Sequence, residues 1–185
     1  MNSSDNGSVL VVDDDADVRF MLEEFANDMG YRIQLASDGA RALDLLSQQP
    51  FDVVITDFKM PVMNGIELMA KARARNIETP FLVITGHGGE GVMLDALRLG
   101  AVDFVAKPFD LNELSRTLTR IIALSRAKQE IQQIIGELVS VVKAPELLER
   151  LEALRFRINL VLVTSHNAKP RNDVPRPKLT GSSKV

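Results

Sequence analysis

The 185-residue sequence contains no cysteine. That absence excludes disulfides, thiolate metal sites and a cysteine nucleophile together, and it suits a reducing cytoplasm. Long hydrophobic runs are missing as well, since no stretch approaches the roughly 20 apolar residues that span a bilayer. The opening residues, MNSSDNGS, are polar and lack the apolar segment of a secretory signal. The expected location is therefore the cytoplasm, with no membrane partner. No GKS or GKT follows a suitable strand, so a Walker-type nucleotide loop is excluded. An excess of positive charge is also lacking. The formal net charge is -3, which argues against nucleic acid as a partner of the chain as a whole.

What is present is an alternation of two periodicities. Val9 to Val12 is a short, wholly apolar run, as expected of a strand buried on both faces. A helix is expected from Ala16 to Met29, with Val18, Met21, Leu22 and Phe25 on its apolar stripe and Gly30 closing it. Tyr31–Leu35 reads as a strand, Ala40–Ser47 as a helix with Asp38 near its start, and Asp52–Thr56 as a strand. A third helix begins near Gly65, and Pro80–Ile84 is a fourth strand. The glycine-rich GHGGEG leads to a helix through Leu94, Leu97 and Arg98, closed by Gly100. Val102–Val105 is a fifth strand, and Asp110 with Glu113 forms a capping box for a long fifth helix. Strands alternating with helices predict a parallel sheet with helices on both faces, and right-handed crossovers give a flavodoxin-like α/β order, 2-1-3-4-5.

In such sheets functional groups gather beyond the carboxyl ends of the strands. Asp13 and Asp14 follow the first strand, Asp57 the third, Thr85 the fourth and, one residue on, Lys107 the fifth. Three carboxylates, a hydroxyl and an ammonium are thus expected in one pocket. Clustered carboxylates repel one another, and a hard cation such as Mg2+ relieves that cost. A carboxylate is also a competent nucleophile toward phosphorus. Phosphoryl transfer mostly requires positioning and neutralisation of oxygen charge, for which Mg2+, Lys107 and Thr85 are suited. The residue pattern leaves open which aspartate is the nucleophile.

The segments VLVVDDD, FDVVITDFKMPVMNG, VITGHG and GAVDFVAKPF resemble the receiver domains of two-component response regulators, in family order and spacing over Ser8 to Leu124. The wording is most similar to receivers of nitrogen-fixation and nitrogen-regulation regulators. The resemblance implies that Asp57 is the phosphoacceptor, that Asp14 binds Mg2+ directly and Asp13 largely through water, and that the backbone carbonyl of Lys59 is a further ligand. It implies that Lys107 pairs with the phosphoryl group and with Asp57, that Thr85 hydrogen-bonds the phosphoryl oxygen, and that Phe104 is an aromatic switch turning inward as Thr85 moves. The Lys107–Pro108 peptide is expected to be cis. The implied donor is a cognate histidine kinase or phosphotransfer protein.

Ordinary readings stand beside these. Asp15 and Asp17 are solvated first-turn acids facing a positive helix end. Phe104 on its own is a core aromatic. His87 reads as structural or solvated, with a role in tuning access of water as the alternative, and Lys59 has the same two readings. Both border the site and are candidates for setting the lifetime of the phosphorylated state. The GHGGEG glycines read as a mobile loop that moves with Thr85.

Past Leu124 the polar stretch SRAKQE marks where the fifth helix is expected to leave the globular body. Apolar spacing resumes at Ile131, Ile134, Ile135, Leu138, Val141 and Val142. Lys143-Ala144-Pro145 reads as a turn, and a second helix carries Leu147, Leu151, Leu154, Ile158 and Val161 at heptad-like spacing. So small a hairpin cannot cover its own apolar faces, and a homodimer built as a four-helix bundle is preferred over packing on its own receiver. The expected organisation is a disordered N-terminus over 1–7, a receiver over 8–125, a helical hairpin over 126–165 and a disordered basic tail over 166–185. The main functional expectation is a phospho-switch whose output is a protein contact or a change of oligomeric state. DNA binding through the basic tail, or a fragment of a regulator with an enzymatic output, are the alternatives.

Overall fold

A computed structural model describes residues 6–86, 96–141, 147 and 149–157. His87 and the rest of the GHGGEG loop beyond Gly86, Leu94, the Lys143–Pro145 turn, Ile158, Val161 and the basic tail lie outside the described residues. The elements are β1 (Ser8–Val12), α1 (Ala16–Asp28), β2 (Arg32–Ala36), α2 (Gly39–Gln48), β3 (Val53–Asp57), α3 (Gly65–Ala74), β4 (Phe81–Thr85), α4 (helical over 96–98), β5 (Ala101–Ala106), α5 (Leu111–Val141) and α6 (helical over 149–157). The five strands form one parallel sheet in the order β2-β1-β3-β4-β5, as the alternation of elements predicts.

The apolar strands are continuous because each face of the sheet has its own cover. Leu10, Val12, Val54, Phe81 and Val83 point to the face packed by Leu43 and Leu46 of α2 and Leu68 and Met69 of α3. Val9, Val11, Val53, Ile55, Leu82 and Ile84 point to the opposite face, against Leu22 of α1 and Leu114, Leu118 and Ile121 of α5. Successive residues of one strand thus enter two cores, which is why strict polar alternation is absent.

Helices α1, α2, α3 and α5 begin on side-chain caps. Asp15 is the N-cap of α1 and accepts the Asp17 N–H at 2.9 Å. Asp38 caps α2 by accepting the Arg41 N–H at 2.9 Å. Asn64 and Glu67 form a reciprocal capping box at α3, a signal present in the sequence that the expected start near Gly65 did not use. At α5, Asp110 accepts the Asn112 N–H at 2.6 Å. Strands β3 and β4 each run one residue beyond the apolar stretch, so that Asp57 and Thr85 are strand residues paired with Ile84 and Ala106. A polar side chain does not end a ladder that is made by the backbone.

The SRAKQE stretch, expected to mark where α5 leaves the globular body, makes contacts to that body. Arg126 Nη2 reaches Asp52 Oδ2 at 3.4 Å, and Lys128 Nζ reaches Glu78 Oε2 at 2.6 Å. The polarity of this stretch serves contacts to acidic side chains of the receiver body rather than to solvent alone. Further on, Ile134 and Leu138 are exposed while Ile135 is buried. Arg155 of α6 donates to Gln132 Oε1 of α5 at 2.8 Å, which brings α6 back against α5 as a helical hairpin. No helix among the described residues is long and apolar enough to cross a membrane.

The first half of α5 is part of the core. Truncating its fully buried Leu118 to alanine is expected to lower the unfolding free energy by about 2–5 kcal/mol, measured by urea denaturation.

Candidate functional site

The carboxyl ends of β1 and β3 deliver the acidic groups, and the turn after β5 delivers the cation. Asp13 directly follows β1 and is 2% exposed. Its N–H donates to the Ala36 carbonyl at 3.3 Å, while its Oδ1 accepts the Asp15 N–H at 2.9 Å. Arg19 of α1 folds back to donate to the Asp13 carbonyl at 2.7 Å. Asp14 is exposed and Asp57 half-buried. One oxygen from each of Asp13, Asp14 and Asp57 falls within 4.8 Å of the others.

Asp57 is held by its neighbours on every side. Its Oδ1 accepts the Phe58 N–H at 2.8 Å. The buried Thr56 hydroxyl donates to the Asp57 carbonyl at 3.0 Å. Gly65, the first residue of α3, approaches so closely that a Cβ there would lie 2.4 Å from the Asp57 carbonyl oxygen. No other residue fits that position without moving β3 or the helix. The loop between them carries strain, because Val62 sits at a φ of 66 while the Met63 N–H donates to the Pro61 carbonyl at 2.7 Å. That is a γ-turn on a β-branched residue, which no feature of the sequence announces.

Lys107 arrives through a cis Lys107–Pro108 peptide, as the resemblance implies. Its N–H donates to the Thr85 carbonyl at 2.9 Å, tying the β5 turn to the end of β4. Its ammonium makes its short bond to Asp13, with Nζ 2.7 Å from Oδ2, and stands 3.8 Å from Asp57 Oδ2. The expected pairing with Asp57 is therefore the looser of two contacts. The more deeply buried carboxylate takes the direct hydrogen bond, and Asp57 Oδ2 is left at the longer distance from the ammonium. Thr85 is buried at the end of β4, and Phe104 is half-buried beside Val83, its register partner. Lys59 is exposed two residues beyond Asp57.

Burial pushes the Asp57 carboxyl above the ordinary aspartate range. The Lys107 charge opposes this, while Asp13 and Asp14 reinforce it and the Phe58 N–H counters it. Among the described residues, the one ammonium at the site, Lys107, stands against three crowded carboxylates. An all-oxygen donor set of this kind, partly open to solvent, fits a hard dication such as Mg2+.

The sequence profile of the response regulator receiver domain matches residues 9–119. The chain belongs to the response regulator receiver domain family. This receiver is 36% identical over 126 residues to the regulatory protein AtoC of Escherichia coli (strain K12), an alignment covering 68% of this chain and 27% of AtoC. The chain spans 27% to 53% of the length of the first curated relatives it matches. Among solved structures, chemotaxis protein CheY4 of Vibrio cholerae superposes with a TM-score of 0.59 at 34% identity, covering 62% of this chain and 97% of CheY4. The receiver domain of a sensor histidine kinase from Pseudomonas aeruginosa PAO1 does so with a TM-score of 0.59 at 29% identity, over 63% of this chain and 98% of that one. That receiver was solved with a magnesium ion coordinated in its active site cleft.

The direction of the Asp57 shift fixes a sign. The folded receiver holds the Asp57 proton more tightly than the unfolded chain does, so this group contributes stability at acid pH that is lost as pH rises through its folded value. Asp57→Asn is expected to be more stable than the parent at neutral pH in the presence of a chelator. The difference should close as pH falls below the ordinary carboxylate range, as followed by thermal unfolding across pH.

Proposed function

We propose that this receiver accepts a phosphoryl group on Asp57, with Mg2+, and thereby switches the contacts made by its C-terminal helices. The convergence of Asp13, Asp14, Asp57 and Lys107 carries the reading. The donor is a phosphohistidine on a cognate histidine kinase or phosphotransfer protein. An Asp57 carboxylate oxygen attacks phosphorus, the P–N bond breaks, and the imidazole leaves with the electron pair and takes up a proton. Asp14 and Asp57, with Asp13 largely through water and the Lys59 backbone carbonyl, would hold the metal. When bound, Mg2+ neutralises charge on the phosphoryl oxygens and on the carboxylates. The magnesium in the Pseudomonas receiver supports this assignment.

Lys107, 3.8 Å from Asp57 Oδ2, binds the phosphoryl group there. Thr85 donates its hydroxyl to a phosphoryl oxygen, and Phe104 turns inward as Thr85 moves. Lys59 and His87 border the site and set the lifetime of the aspartyl phosphate. The chain acts as a phosphoacceptor in the cytoplasm. Its working units are the receiver over 8–125, the hairpin over 126–165 and the basic tail over 166–185. Output runs through the hairpin, whose exposed Ile134, Leu138 and Leu154 suit a four-helix bundle with a second copy.

Incubation with a radiolabelled small-molecule phosphodonor and Mg2+ is expected to label the chain in an acid-stable, base-labile form. Asp57→Ala should fold and take no label; labelling of that variant at the parent level overturns the assignment. Light scattering with and without beryllofluoride plus Mg2+ reads the output. A rise to twice the monomer mass is expected, and it should be lost in a chain ending after Leu124.

A further inference from the structure

Helix α5 has two halves in different surroundings. Up to Ile122 it packs against the sheet through Leu114, Leu118 and Ile121. Beyond Ile122 it continues to Val141, an extension of about 28 Å at the helical rise of roughly 1.5 Å per residue. A helix that runs past its support keeps its direction only if something resists bending and fraying at the exit.

Two ion pairs sit at that exit, and they come from different parts of the body. Arg126 meets Asp52 at 3.4 Å. Asp52 immediately precedes β3 and is buried, and its Oδ2 already accepts the Ser8 N–H at 2.8 Å and the Ser8 hydroxyl at 3.2 Å. It is a fixed point, unlike a surface acid free to swing. Lys128 meets Glu78 at 2.6 Å. Glu78 lies in the turn between α3 and β4, which Arg73 fastens by donating to the carbonyls of Ile77 and Thr79 while lying 5.4 Å from the centroid of the Phe81 ring. Residues two apart on a helix point in divergent directions. Bending that relaxes one pair is therefore opposed by the other. Either pair alone, partly exposed and screened by salt, would hold weakly.

We infer that the Arg126–Asp52 and Lys128–Glu78 pairs together clamp α5 where it leaves the sheet, so that its C-terminal half is a rigid arm of fixed direction. The inference stands apart from phosphorylation, because both anchors lie at the amino ends of the strands, away from Asp57. It concerns where the hairpin is presented, whatever then binds it.

The lack of cysteine allows spin labels to be placed at will. Cysteines at Asp44 of α2 and Ser140 of the arm, in the full chain diluted with unlabelled protein, report the arm direction by pulsed dipolar spectroscopy. The parent should give one narrow distance distribution. Arg126→Gln combined with Lys128→Gln should broaden it and shift its mean by several ångströms, while a body pair at Asp44 and Arg116 stays unchanged. An unaltered Asp44–Ser140 distribution in that double variant overturns the inference. If the body pair also moves, the charge swap Lys128→Glu with Glu78→Lys decides. Recovery of the narrow distribution, absent from Lys128→Glu alone, supports the clamp, and failure to recover it refutes the clamp.

Discussion

Electrostatic crowding at the carboxyl edge of the sheet is the constraint around which this receiver is organised. Asp13, Asp14 and Asp57 are brought together by strand pairing, β1 against β3, and not by any attraction among themselves. The cost of holding them there is met by the hydrophobic packing of both sheet faces, which fixes the strand ends whatever charges they carry. Lys107 offsets only part of the repulsion, and it does so at Asp13 first. The site is therefore a standing electrostatic deficit, which a dication or a change in the charge at Asp57 alters sharply.

That deficit is coupled to the framework through very short connections. Asp57 and Thr85 are the last residues of β3 and β4, and the Lys107 N–H donates to the Thr85 carbonyl. Gly65 presses the start of α3 against the Asp57 carbonyl. A change in charge at one side chain thus meets three backbone elements through direct contacts.

The sheet order and the identity of the converging residues were legible in the sequence because they rest on periodicity and on the rule that sites lie beyond strand ends. Val9–Val12 and Pro80–Ile84 could hardly be anything but buried strands. What sequence could not supply was partner choice. Nothing in the residue order says that Lys107 bonds Asp13 more closely than Asp57, since that depends on relative burial in the folded site. The γ-turn at Val62 was equally hidden, because valine is among the residues least expected at positive φ. The contacts made by the SRAKQE stretch were hidden for a simpler reason. A polar segment of a helix looks the same in sequence whether it faces water or the acidic side chains of a neighbouring surface.

Strand β3 is only five residues long. Asp57 closes one end, and Asp52, the partner of Arg126, immediately precedes the other. Its interior residues alternate between the two cores, so a change of volume at Val53, Val54 or Ile55 disturbs both ends together. Variants in this strand therefore act at once on the acidic site and on the bearing of the distal helices, and belong to neither a purely chemical nor a purely architectural class.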